Sequence, residues 1–308
     1  MNEFLPEGMK QTFSSGRTGL TGIASIKDAI NQETIFESRV LLCDKEHALH
    51  IDLGIMKGII PRNEGAIGIE DGSVRDIALI SRVGKSVCFV ITAIKKNENG
   101  NLYAELSRKR AQEKCMREYI EFLSPGDIVD VRVSHIESFG VFCDIGAGIS
   151  ALMPIDCISV SRIPHPSARF FVGQQIKAIV KSKDEMGRIT LTHKELLGTW
   201  EENAALFSVG ETVPGIIRSV ESYGIFVELT PNLAGLAEFN PDVTEGESAA
   251  VYIKNIIPER MKIKLVIVDH GGEKPSAYNQ KYFYEGERIS AFRYSPECCE
   301  RGSETIFK

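Results

Sequence analysis

A short phrase that occurs twice constrains the fold of this chain more than any other feature. ESFGVF at 137–142 returns as ESYGIF at 221–226, and the surrounding stretches 125–152 and 209–236 align without a gap. A match of this length indicates two copies of one folded unit. A weaker third copy lies upstream at 35–61, where HIDLG aligns with FCDIG. The chain is therefore expected to contain three related units.

The second half of each unit has the pattern of a hairpin. An alternating strand, a polar turn and another strand recur at 83–109, 172–194 and, more loosely, 245–268. Helix-period stretches at 110–123 and 195–207 connect the units. About five short strands and a connecting helix per unit fit a small antiparallel barrel better than a sandwich or a parallel sheet. The predicted fold class is mainly β, with tandem five-stranded antiparallel barrels joined by short α-helices.

Strand alternation predicts which side chains face outward. In the strand after each repeated phrase, aliphatic residues alternate with an aromatic residue and an acid. The aliphatic set is expected to fill the barrel, because the opposite choice would bury Asp144 and Glu228 without partners. These two acids and Asp130 are therefore expected on strand surfaces, without a catalytic role. The outward aromatic set is Phe139, Phe142, Tyr223 and Phe226.

Two interpretations of the outward aromatics are open. An exposed aromatic pair on a barrel suits the stacking of single-stranded nucleic-acid bases. Alternatively, a linker helix or a neighbouring repeat caps the rings. Both copies keep both rings in one register, which favours ligand binding. The glycine between each pair has no side chain to block the surface.

The spacing of glycines, valines, aromatics and the closing basic hairpin resembles the S1 RNA-binding domain family. The resemblance covers 123–269 well and 34–122 weakly. It implies barrels of the OB-fold, S1 type and single-stranded RNA as the partner. The expected domains are an extension at 1–33, a degenerate S1-like domain at 34–122, S1 domains at 123–206 and 207–269, and a tail at 270–308. The tail is expected to form a small hairpin around Glu285 and Gly286.

The resemblance also implies which residues contact RNA. In the family these are two aromatics, a histidine after the third strand, and an Asp…Arg pair around the last hairpin. The matching residues here are Phe139, Phe142, Asp184 and Arg188 in the second domain, and Tyr223, Phe226 and Lys262 in the third. Arg132 and Arg218 are added as basic residues of the same faces. Pro154 and Glu238 stand at the histidine positions, and Pro258 at the third-domain aspartate, which departs from the family pattern.

The first copy departs most from that pattern. His47 and His50 stand at the aromatic positions, and Tyr103 stands at the arginine position. Together with Cys43 the two histidines suggest zinc, but no fourth ligand has regular spacing, so no metal is predicted. The first domain is expected to contact protein or to pack structurally. By family analogy its partner would be the small ribosomal subunit.

Several classes of protein are excluded by what the sequence lacks. There is no Walker loop, HExxH motif, nucleophile elbow or clustered acids of a two-metal nuclease, so neither catalysis nor a cofactor is predicted. No apolar run is long enough to span a membrane, and no secretory signal is recognisable. The seven cysteines include no CxxC pair, which is typical of reduced thiols. The expected location is the cytoplasm.

Net charge separates the remaining hypotheses. A net charge of −6 argues against a protein held to RNA by phosphate neutralisation alone. The leading hypothesis is a monomeric, non-enzymatic binder of single-stranded RNA in translation. The rivals are a protein-interaction scaffold and an accessory subunit of an RNA-decay or transcription assembly. The insertion at 161–171 either extends the RNA surface or anchors on its own barrel through Phe170 and Phe171.

Overall fold

The computed structural model of the protein describes residues 4–9, 20–272, 281–299 and 302–308. It contains three closed five-stranded barrels. The first consists of β1 (Phe36–Cys43), β2 (Leu49–Asp52), β3 (Lys57–Ile60), β4 (Ser86–Lys96) and β5 (Leu102–Ser107). The second consists of β6 (Ile128–Glu137), β7 (Gly140–Asp144), β8 (Ser150–Pro154), β9 (Gln175–Lys183) and β10 (Ile189–Thr192). The third consists of β11 (Thr212–Glu221), β12 (Gly224–Thr230), β13 (Leu233–Ala237), β14 (Ser248–Ile257) and β15 (Lys262–Gly272).

All three barrels have one topology. Their strands neighbour one another in the order first, second, third, fifth, fourth, and the fourth closes onto the first. The third and fifth strands pair in parallel, whereas the recorded pairings between the other neighbouring strands are antiparallel. The predicted fold class is confirmed. The aliphatic residues expected inside are also buried, as Val141 and Ile225 illustrate.

The described ranges contain four short α-helices. α1 (Ile23–Asn31) precedes the first barrel and α2 (Ile77–Ile80) lies between β3 and β4, whereas α3 (Arg108–Glu118) and α4 (Trp200–Ala204) connect successive barrels. Short 3-10 helices occupy Arg62–Glu64, Ile120–Phe122, Ile155–Cys157, Pro166–Ala168, Lys194–Leu197 and Pro258–Arg260. The Ser107 side chain accepts a hydrogen bond from the Arg110 amide, and Thr199 and Glu202 form a capping box, which explains where α3 and α4 begin. None of the helices in the described ranges is long and apolar enough to cross a bilayer.

The chain divides into two compact units. Unit 1 contains residues up to 123 together with 130–132 and 144–150, and so includes the first barrel. Unit 2 contains 124–129, 133–143 and the chain from 151 onward, and so includes the third barrel, the tail and most of the second barrel. The exposed aromatic residues of the repeated phrases all belong to unit 2.

Within unit 1 the segment 4–9 carries a buried acid. Both Glu7 carboxylate oxygens accept hydrogen bonds from Arg108, at 2.7 and 3.0 Å, and one also accepts from the Cys88 amide. The Glu7 amide donates to Asp144 at 2.8 Å. Burial opposes ionisation of Glu7, but the charge and hydrogen bonds of Arg108 outweigh it and hold the pKa of Glu7 below its usual value. The opposite happens at Asp144, where burial and the charge of Glu7 raise the pKa to about 7.

The tail packs along unit 2. Its strands β16 (Ala291–Arg293) and β17 (Glu304–Ile306) form a two-stranded antiparallel sheet, and Glu285 and Gly286 lie outside it. The Ile128 amide donates to Glu287 O, while Tyr294 Oη donates to Asn232 O at 2.6 Å. Residues 273–280 and 300–301 of the expected tail domain lie outside the described ranges. The described tail therefore contacts both the second and the third barrel.

Candidate nucleic-acid interface

An aromatic pair stands at the β6–β7 turn of the second barrel. Phe139 in the turn is 54% exposed and Phe142 on β7 is half-buried. Their ring centroids lie 6.0 Å apart with the planes at 90°. The His135 ring stacks on Phe142, with centroids 6.3 Å apart and planes at 29°. One edge-to-face pair thus presents an exposed ring beside a supported one.

The third barrel repeats this arrangement. Tyr223 is 68% exposed and Phe226 on β12 is half-buried. Their centroids are 6.2 Å apart and the planes meet at 85°. None of the four rings belongs to a buried core. Each pair therefore offers one exposed aromatic ring, Phe139 or Tyr223, of the kind on which unstacked bases lie.

The glycine inside each phrase is required by backbone packing. A Cβ on Gly140 would lie 2.5 Å from Met153 O, and one on Gly224 would lie 2.6 Å from Ala237 O. Gly224 also has φ of +149°, which side-chain-bearing residues rarely adopt. Each glycine thus lets the strand that carries the aromatic pair approach the next strand closely. It does more than leave the surface unblocked.

The Asp184 and Arg188 side chains lie together at the β9–β10 hairpin. Arg188 Nε donates to Asp184 Oδ2 at 2.7 Å, and the Arg188 amide donates to the other carboxylate oxygen. The hydrogen bond from Arg188 lowers the pKa of Asp184. The Arg188 side chain is 75% exposed, so its guanidinium has room to turn toward a ligand. An exposed pair of this kind contributes little to stability.

Arg218 and Arg132 are not displayed on the exposed face where the sequence analysis put them. Arg218 pairs with Glu228 through two hydrogen bonds of 2.7 and 3.0 Å, and its side chain is 10% exposed. Arg169 donates to the same carboxylate at 2.6 Å. Arg132 is half-buried and donates to Glu7 O at 2.7 Å. Both arginines are engaged by other parts of the protein.

The prediction that Asp144 and Glu228 lie exposed on strand surfaces is wrong. Glu228 is 0% exposed, and its charge is matched by the two arginines that converge on it. Asp144 is also buried, and it accepts hydrogen bonds from the amides of Glu7, Gly146 and Gly148. Burial of a carboxylate costs little when it is paired and hydrogen-bonded. The partners of both carboxylates cannot be identified from strand alternation alone.

The insertion at 161–171 is anchored on unit 2. Phe170 is buried against the edge of the His193 ring, with centroids 5.3 Å apart, whereas Phe171 is exposed. Burial lowers the pKa of His193 to about 4, so this imidazole is neutral at physiological pH. Its Nδ1–H donates to Ile158 O at 3.2 Å, and Tyr282 Oη lies 3.4 Å from Nε2. Of the two interpretations, the geometry favours anchoring.

The first barrel has no aromatic pair at the equivalent turn. His50 hydrogen-bonds Asp44 at 2.8 Å, which lowers the pKa of Asp44. His47, with φ of +61°, lies 3.5 Å from Asp76. Across the described ranges no three His, Cys, Asp or Glu side chains are placed to share a metal ion. The histidines that suggested zinc each pair with a carboxylate instead.

One group of basic residues was missed by the sequence reasoning. Lys254 on β14 and Lys264 on β15 are exposed, as is the predicted Lys262. The alternation in KIKL at 262–265 places Lys262 and Lys264 on one face of the strand, so the signal was present in the sequence.

Comparison with known proteins agrees with this geometry. Residues 123–194 match the family described as the S1 RNA binding domain. The small ribosomal subunit protein bS1 of Rhizobium meliloti is 34% identical over 133 residues, which cover 42% of this chain and 23% of that protein. The bS1 homolog of Bacillus cereus is 28% identical over 252 residues, which cover 79% of this chain and 62% of that protein.

An enzyme is also among the similar proteins. The 4-hydroxy-3-methylbut-2-enyl diphosphate reductase of Fusobacterium nucleatum is 27% identical over 248 residues, covering 79% of this chain but 28% of the enzyme. The chain thus spans less than two thirds of the length of each of these three relatives. Residues 123–194 thus match the S1 RNA binding domain family, and the chain, with its three barrels of one topology, is similar to bacterial S1 ribosomal proteins.

Proposed function

We propose that this S1-like chain binds single-stranded RNA, without catalysis, as part of translation. The observation that carries the proposal is the repeated edge-to-face aromatic pair, with matching centroid distances of 6.0 and 6.2 Å, on two barrels. Phe139 and Tyr223, at 54% and 68% exposed, have no packing role that explains why both copies keep them. Base stacking gives them one, at about 1–3 kcal/mol per base.

The two aromatic faces belong to one compact unit. Both lie in unit 2, where the Ser161 amide donates to Pro231 O at 3.1 Å and the Val160 amide donates to Asn232 Oδ1 at 3.0 Å. These bonds join the second barrel's insertion to the third barrel. An RNA strand bound at one face is therefore held near the other face, which raises the effective concentration for the second contact.

The proposed RNA-contact residues are exposed, apart from Phe142 and Phe226, which are half-buried beside an exposed ring. The full set is Phe139, Phe142, Asp184, Arg188, Tyr223, Phe226 and Lys262. Arg132 and Arg218 are left out because their guanidinium groups are engaged within the protein. Arg188 is included since its bond to Asp184 is solvent-exposed and exchangeable.

The proposal also covers the assembly with which the protein associates and its cellular location. The relatives named as small ribosomal subunit proteins support association with that subunit, which we assign to the first barrel because its aromatic positions hold His47 and His50. Acting with ribosomes implies the cytoplasm, and we infer a monomer, which light scattering checks. The reductase match leaves most of that enzyme unmatched, so it does not support catalysis here.

The test is a binding titration with three ligands of equal length. Unstructured RNA should bind, and duplex RNA should bind much more weakly because its bases are not free to stack. Single-stranded DNA reports whether the 2′-hydroxyl contributes. Phe142→Ala and Phe226→Ala should each weaken RNA binding by about 1–3 kcal/mol. Phe122→Ala is the matched control, because Phe122 is 74% exposed but lies in unit 1.

The alternative hypothesis is that the protein is a protein-interaction scaffold. This hypothesis replaces RNA binding if the folded chain binds none of the three ligands. It also takes over if Phe142→Ala unfolds its barrel and leaves RNA affinity per folded molecule unchanged, because the ring is then packing.

A further inference from the structure

The outer face of the third barrel carries a continuous row of side chains beside the aromatic pair. Phe226 on β12 is in register with Leu236 on β13, and Leu236 is in register with Lys264 on β15. Residues in register on neighbouring strands project from the same face. With strands about 4.8 Å apart, Lys264 lies roughly 10 Å from Phe226 across the half-buried Leu236.

Two more lysines extend the row into a patch. Lys262 lies two residues before Lys264 and therefore on the same face, and Lys254 lies on the adjacent strand β14. All three lysines are exposed. Within the described part of the chain none of the three forms an ion pair or a side-chain hydrogen bond. We call Lys254, Lys262 and Lys264 the lysine patch.

The second barrel lacks a patch of this kind at equivalent positions. Thr190 is in register with Leu152 as Lys264 is with Leu236, so a neutral residue replaces Lys264. Arg188 matches Lys262, but its exposed bond to Asp184 has to exchange before the guanidinium can contact RNA.

The residue that matches Lys254 is also engaged. Leu191 pairs with Val180 as Leu265 pairs with Ile253, which aligns Lys181 with Lys254. Lys181 Nζ donates to Cys157 Sγ at 3.1 Å. Each of the three positions is thus a free cation in the third barrel, and is neutral or occupied in the second.

We propose that the lysine patch is the phosphate-contact site for bound single-stranded RNA, and that the third barrel supplies most of the salt-dependent affinity. The second barrel then contributes mainly base stacking. This inference rests on the proposed function. A chain of net charge −6 repels a polyanion at long range, so attraction has to come from a local cluster of unpaired cations.

The lysine patch predicts a measurable dependence of RNA affinity on salt concentration. Each phosphate neutralised on a single strand adds about −0.7 to the slope of log K against log salt concentration, so three lysines add about −2. Raising salt from about 50 to about 200 mM should therefore weaken wild-type binding about 16-fold more than binding of a variant without the patch.

The experiment compares full-length variants in a fluorescence-anisotropy titration of unstructured RNA at several salt concentrations. The test variant carries Lys254→Gln, Lys262→Gln and Lys264→Gln. The control carries Lys45→Gln, Lys57→Gln and Lys96→Gln, which remove the same charge from exposed positions of the first barrel. The patch variant should lose about 2 from the slope, and the control should keep the wild-type slope. Phe226→Ala should lower affinity at every salt concentration with the slope unchanged.

The outcomes separate this inference from the proposed function. If wild-type protein does not bind RNA, the proposed function fails. If it binds and the patch variant, folded by circular dichroism, keeps the wild-type slope, the phosphate assignment is overturned while RNA binding stands. Equal slope losses in the patch variant and the control would mean that overall charge, rather than the patch, sets the salt dependence.

Discussion

Acid should destabilise unit 2 through His193. This imidazole is fully buried and its pKa in the folded protein is about 4, against about 6.5 for an ordinary histidine. As pH falls below 6.5, the unfolded chain takes up a proton that the folded protein does not. The free energy of unfolding therefore falls with pH until the folded imidazole also titrates near 4.

The size of the loss follows from the difference in pKa. A difference of about 2.5 units at about 1.4 kcal/mol per unit gives roughly 3 kcal/mol between pH 7.5 and pH 4. His193→Gln keeps an amide that can donate to Ile158 O but cannot titrate. It should lower stability at pH 7.5 and abolish this part of the pH dependence.

The assay uses the single tryptophan of the chain. Trp200 is buried in the core of the third barrel, within unit 2, so its fluorescence in a urea titration reports that unit. Titrations at pH 7.5, 6, 5 and 4.5 on wild type and His193→Gln isolate the histidine, because other titrating groups are common to both proteins. Parallel loss of stability in the two proteins would refute the reasoning.

Three further substitutions test the structure. Ile225→Ala should lower the free energy of unfolding by about 2–5 kcal/mol and leave RNA affinity per folded molecule unchanged, measured by urea titration and anisotropy. Glu228→Gln should destabilise unit 2 by about 3–5 kcal/mol, because two converging arginines lose their counter-charge. A loss of stability under about 1 kcal/mol would show that solvent screens the interaction of Glu228 with the arginines. Gly140→Ala should lower the melting temperature, since its Cβ would meet Met153 O at 2.5 Å, and an unchanged value would contradict the close strand approach.

The fold was predictable because the strand pattern that specifies it is local in sequence and is repeated along the chain. Strand alternation in GVFCDIG and its copy placed Val141 and Ile225 inside and Phe142 and Phe226 outside the cores, and the structure agrees. Alternation works here because a strand in a closed barrel has one buried face.

The alternation rule failed for Asp144 and Glu228 because each of them has a buried partner that is distant in sequence. Arg169 reaches Glu228 across 59 positions, and no periodicity announces that pairing. Arg218 lies only ten positions from Glu228, on the neighbouring strand β11, but the alternation pattern does not reveal that this arginine is buried with the acid. Sequence patterns indicate which face of a strand or helix is buried, whereas the pairing of buried charged groups depends on tertiary contacts.

The position of segment 4–9 near the start of the chain affects when its contacts form during folding. Glu7 is synthesised before its partners Cys88, Arg108 and Asp144, which follow 81, 101 and 137 positions later. Contacts that close such long loops form late, because the entropy of closure opposes them until the barrel exists. Interactions absent from the folding transition state slow unfolding and leave the folding rate almost unchanged. We therefore expect the Glu7 contacts to slow the unfolding of unit 1 more than they speed its folding.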